Sequence, residues 1–145
     1  MPRFRLQRVL DYRRRHEEEC AQSLHQVQLL HQQAVARLEA LQTEAQAQEE
    51  HLEQAQGTAL APAELQSWQR YHEVLAQRIA AQQDVVVPAA QAVAEQRQQL
   101  LVARQETKVI EKLRDKAQRR ALLEQARREQ QWLDELALTR SRHEP

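Results

Sequence analysis

Residues 24–55 read LHQVQLLHQQAVARLEALQTEAQAQEEHLEQA. Within them Leu24, Val27, His31, Ala34, Leu38, Leu41, Ala45, Gln48, Leu52 and Ala55 alternate at spacings of three and four, and eight of these ten slots are apolar. Such an alternation, sustained over more than three heptads, keeps one narrow stripe turned toward a partner helix. It predicts a left-handed coiled coil. Leu30 and Val35 are expected to widen the stripe, and Cys20 falls on it when the register is carried backward.

The pattern halts at Gly57, the sole glycine, where a helix C-cap wants positive φ. Pro62 suits a first helical position, and Glu64 follows in the first turn. A stop and a start so close together predict a helical hairpin. The returning seam is Leu65, Trp68, His72, Leu75, Ile79, Gln82, Val86, Ala89, Val93, Gln96, Leu100, Ala103, Thr107 and Ile110, ten of its fourteen slots apolar. Pro88 interrupts the hydrogen-bond ladder. Because the register runs unbroken from Ile79 to Val93, a kink near 88 is expected, with a break into a three-helix bundle as the structural alternative.

The predicted fold class is all-α. Two long helices form an antiparallel coiled-coil hairpin, one coiled-coil domain over 1–145. Helix one covers about 4–56, the turn 57–61, and helix two about 62–140, or about 80 Å and about 120 Å of helix. Folding about the turn pairs residue i with a residue near 119 − i. Helix two should therefore outrun its partner by about 25 residues, about 40 Å, at the C-terminal end. The sequence agrees, because the old register continues into Arg114, Ala117, Ala121, Glu124, Arg128, Gln131 and Glu135 and loses its apolar character. A different stripe replaces it: Leu122, Ala126, Leu133 and Leu136, with Trp132 beside it. An overhanging helix with its own apolar stripe predicts a protein partner there.

Composition supports a long helix over a globule. Gln, Ala, Glu, Leu and Arg abound, and the five aromatic residues are too few to fill a compact core. Formal charge is zero overall but unevenly placed: residues 1–15 carry +5, residues 16–103 carry −8 and residues 104–142 carry +4. In a hairpin both basic segments fall at one tip, able to steer toward an acidic partner. Lone Cys20 leaves no disulfide framework. The chain start lacks the apolar stretch of a signal peptide, and no run approaches the ~20 apolar residues of a spanning helix. These features predict a soluble, cytoplasmic protein.

No catalytic or cofactor chemistry is expected. There is no Gly-rich phosphate loop and no nucleophile elbow, and Glu17-Glu18-Glu19 and Glu49-Glu50 point different ways around a helix. His16 and Cys20 share a helix face, with His25 and His31 following, but three or four converging metal ligands do not arise. The basic residues of 104–142 alternate with acids at helix-supporting spacings, which argues against nucleic acid. No small-molecule substrate is implied. Trp68 and Tyr71, one turn apart just after the hairpin, either close the coiled-coil end or form a docking patch with Leu75.

The opening Phe4-Arg5-Leu6-Gln7-Arg8-Val9-Leu10-Asp11, with Arg13 to Glu19 after it, resembles the start of the FliJ family of the bacterial flagellar export apparatus. Glu64-Leu65-Gln66-Ser67-Trp68-Gln69-Arg70-Tyr71, then Leu75 and Ile79, is similar to the family's segment after the turn. Glu111-Lys112-Leu113-Arg114 and Asp134-Glu135-Leu136-Ala137 resemble its C-terminal pattern. The likeness runs in order over nearly the whole chain. It implies a non-enzymatic coiled-coil stalk for type III flagellar protein export and motility, peripheral to the inner face of the cell membrane at the flagellar base. The implied partners are the export ATPase hexamer, the cytoplasmic domain of the export gate protein and export chaperones.

Carried onto this chain, the resemblance puts Lys112, Arg114, Arg119 and Arg120 at the ATPase ring, joined there by the overhang residues Trp132, Leu133 and Leu136. It puts Leu41, Trp68, Tyr71 and Leu75 at the gate. Glu44 and Gln48 stand where some relatives carry aromatics, and Pro88 is a second departure. The alternatives are the equivalent stalk of a virulence type III secretion system and a free-standing helical-hairpin chaperone or scaffold.

Overall fold

A computed structural model of the chain describes residues 4–55, 57 and 60–143. Two helices form the fold, α1 over Gln7–Ala55 and α2 over Pro62–His143. They pack as an antiparallel hairpin in which α2, with 82 residues against 49, overhangs at its C-terminal end. Phe4 lies outside α1. Its carbonyl oxygen accepts the Gln7 amide at 3.1 Å, so a short turn leads into the helix, whose start at Gln7 lies three residues from the expected start near residue 4.

By internal contacts the chain divides into two compact units, residues 19–101 and residues 1–18 with 102–145. In the first, all ten slots from Leu24 to Ala55 are buried or half-buried, so the period seen in the sequence is the period of burial. Val35 widens the stripe as expected. Leu30 does not, because it is exposed on the solvent side. On the returning helix Leu75, Val93 and Leu100 are buried, whereas Leu65 and His72 are exposed. Trp68 and Tyr71 are both half-buried, so the inner face near the turn runs 68, 71, 75 and Tyr71 replaces the expected His72. The larger aromatic ring buries more surface than an imidazole in the same place.

The start of α2 follows the expected logic. The amides of Glu64 and Leu65 bond to the Ala61 carbonyl oxygen at 3.0 and 3.2 Å. Pro62 therefore occupies a position whose N–H would have had no helical acceptor. Glu64 in the first turn and Arg140, Arg142 and His143 in the last complement the helix dipole. Gly57 departs from its expected cap, since no glycine among the described residues takes a positive φ. A Cβ at Gly57 would meet the Gln54 carbonyl oxygen at an ordinary 3.6 Å. Gln56 and the turn residues Thr58 and Ala59 lie outside the described residues.

Pro88 sits inside α2 without ending it, which removes the three-helix alternative. Its position explains the tolerance. Pro88 and Asp84 are both exposed, so the missing hydrogen bond lies on the outer side of the helix, away from α1.

Candidate partner-binding surfaces

In the unit that joins residues 1–18 to 102–145, the helix–helix seam changes character. Leu10 is fully buried and Ala103 nearly so, but Arg13, Glu17, Thr107 and Arg114 take intervening inner positions. Arg13 Nη1 donates to Glu106 Oε2 at 2.6 Å, and pairs link Arg14 to Glu111 and Arg104 to Glu17, both at 3.5 Å. Buried Thr107 donates its hydroxyl to the Ala103 carbonyl at 3.0 Å, with the Arg13 carbonyl at 3.4 Å. Tyr12 stacks on His16 at 6.4 Å between centroids, and the Arg13 guanidinium lies 5.9 Å from the Tyr12 ring centre.

Beyond Ala121 the same unit has only α2. Every residue from Leu122 to His143 is exposed, including Trp132 at 61%, Leu133 at 53% and Leu136 at 44%. The three stand within about one turn of one another, and neighbouring exposed apolar side chains of this size make a candidate partner surface. Lys112, Arg119 and Arg120 are exposed as well. Arg114 is half-buried. Its Nη2 lies 3.9 Å from Asp115 Oδ1 while its Nε has no hydrogen-bond partner.

In the other unit, the tilted rings of Trp68 and His51 lie 5.2 Å apart. The Tyr71 hydroxyl donates to Glu44 Oε1 across the two helices. That hydrogen bond, aided by burial and the Glu44 charge and opposed by Arg78, pushes the Tyr71 phenol above its ordinary 10.0. Leu41 and Leu75 correct the expected docking patch. Both are buried in the seam, and a buried side chain cannot meet a partner unless the helices part. The accessible residues near them are Glu44 and His51 on α1 with half-buried Trp68 and Tyr71 on α2.

Sequence reasoning had treated Glu44 as a departure and had missed the cluster of ion pairs. Both were within reach. Arg13 with Glu106, Glu17 with Arg104 and Glu44 with Tyr71 all fall close to the 119 − i register. Among the described residues no group of three or more His, Cys, Asp or Glu could hold a metal ion. Among them, too, no helix is long and apolar enough to cross a membrane.

Comparison with solved structures finds a likeness to CT670 of Chlamydia trachomatis, described as a YscO homologue. The TM-score is 0.65 at 17% identity, over 98% of this chain and 96% of that one. That identity supports a shared fold. A comparison with curated proteins gives no match. The family model for the flagellar FliJ protein matches residues 2–145, nearly the whole chain. Long hairpin, exposed basic α2 end and whole-length match agree, and the chain belongs to the FliJ family of flagellar proteins.

Proposed function

We propose that this protein is the stalk-like component of the flagellar type III export apparatus, acting through protein contacts at the two ends of its hairpin. The observation that carries the reading is the C-terminal end of α2, where the basic stretch 112–120 runs into an exposed overhang, residues 122–143, that has no partner helix among the described residues. Lys112, Arg114, Arg119 and Arg120 steer this end toward an acidic surface, and Trp132, Leu133 and Leu136 supply the apolar anchors that hold it. The partner there is the hexameric export ATPase. Near the turn, Trp68 and Tyr71 meet the cytoplasmic domain of the export gate, with Leu41 and Leu75 fixing their geometry from within.

In this reading ATP hydrolysis and gate opening belong to the partners. The helices transmit a change at one end to the other, and the protein also escorts export chaperones at the inner face of the membrane. The family match supports the flagellar assignment. The fold likeness to a YscO homologue supports, as a second reading, the equivalent stalk of a virulence type III system.

An ATPase assay tests the reading. The chain added to a flagellar export ATPase should raise its turnover, and Trp132→Glu with Leu136→Glu should weaken the half-maximal concentration by about tenfold or more, as loss of buried anchors does. Unchanged stimulation by that double variant would remove the overhang from the interface. Stimulation of a virulence-system ATPase in place of the flagellar one would favour the second reading.

A further inference from the structure

The three ion pairs that cross between α1 and α2 among the described residues all fall within residues 13–17 of α1 and 104–111 of α2. The same stretch holds the buried polar residue Thr107, and the unpartnered Nε of Arg114 lies just beyond it. Of the inner positions here, only Leu10, Ala103 and Ile110 are apolar, and Ala103 brings a single methyl group. Leu10 is thus the main apolar anchor of about three turns of helix. The ion pairs that must supply the remainder are not deeply desolvated, their side chains being 29–57% exposed. Charges so placed attract one another weakly, and added salt weakens them further.

We propose that residues 7–18 of α1 form a salt-sensitive clasp on residues 102–114 of α2, which opens as a unit while the seam of residues 19–101 stays closed. The unit boundaries at 18 and 102 fall where the apolar seam gives way to paired charges. Local opening is expected where apolar contacts are few and polar contacts are exposed. The open state uncovers Leu10 on one helix and Ala103, Thr107 and Ile110 on the other. How often that face is bare is set by Arg13, Arg14 and Glu17 with their partners. The clasp is independent of which protein the α2 end binds, and its test needs no partner.

Hydrogen exchange read by mass spectrometry on the full chain tests it. Amides in peptides from residues 8–18 should exchange at least about tenfold faster than those of residues 24–45. Raising NaCl from ~0.05 to ~1 M, where the Debye length falls to about 3 Å, should speed the first set several-fold and leave the second unchanged. Glu106→Gln keeps size and shape, and in low salt should bring residues 8–18 close to their high-salt rate. Equal protection of the two segments, a salt response shared by both, or no effect of Glu106→Gln would each overturn the clasp.

Discussion

Gln82 Nε2 donates a hydrogen bond of 2.9 Å to the main-chain carbonyl oxygen of Ala34, from an inner position of α2 to the backbone of α1. Ala34 is buried and ends at its methyl, which lets an amide side chain reach the main chain behind it. A polar residue at such a slot fixes register at some loss of stability. The Ala34 carbonyl lies mid-helix and keeps its helical donor, so removing Gln82 orphans nothing. Gln82→Leu should therefore stabilise the hairpin, by about 1 kcal/mol, as apolar burial outweighs one neutral hydrogen bond. Thermal unfolding followed by circular dichroism checks this, and a lowered midpoint would show that the bond dominates.

Leu75 is fully buried and Leu136 stands on the overhang. Leu75→Ala should lower unfolding stability by about 2–4 kcal/mol, through lost burial and the cavity left behind. Leu136→Ala should change it by less than about 0.5 kcal/mol. Urea titration of the two variants measures the contrast directly.

The Tyr71–Glu44 bond ties stability to alkaline pH. Folding raises the phenol above 10.0, so the folded chain holds that proton more tightly than the unfolded one. The contribution is complete below pH 10.0 and is lost as pH climbs through the raised value. The stability difference between the native protein and Tyr71→Phe should be flat up to that point and then shrink. Chemical denaturation across the alkaline range measures it, and a difference that stays constant would remove the bond from the account.

Pro88 withholds one hydrogen bond from α2 on an exposed face. Pro88→Ala restores the donor to the Asp84 carbonyl and relieves the ring's clash with it. The gain should be about 1–3 kcal/mol. A raised melting temperature with helicity equal or greater is the expected outcome.

The hairpin was legible because a 3,4 period repeated over many turns leaves few other ways to bury the same side chains. The overhang was legible for the converse reason: Glu124, Arg128 and Glu135 fill slots that a partner helix would not tolerate, and all three are exposed. Errors gathered near the turn. Trp68, Tyr71 and His72 offer two registers one residue apart, and only the packed structure selects Tyr71. Glycine's freedom suggested a left-handed cap at Gly57 that no described glycine adopts. The period had already put Leu41 and Leu75 in the seam, where both are buried, and only the family resemblance and the neighbouring aromatics drew them into a docking patch. Half-exposed charges leave no periodic trace, so the ion pairs emerge only when opposite charges are matched across the 119 − i register.

The exposed end of α2 has an evolutionary consequence. Residues 122–143 are all exposed and pack against no other helix among the described residues, so selection on folding scarcely touches their side chains beyond helix propensity. Trp132, Leu133 and Leu136 can then change while the melting curve stays put. Specificity can drift there at a rate the buried seam would never permit.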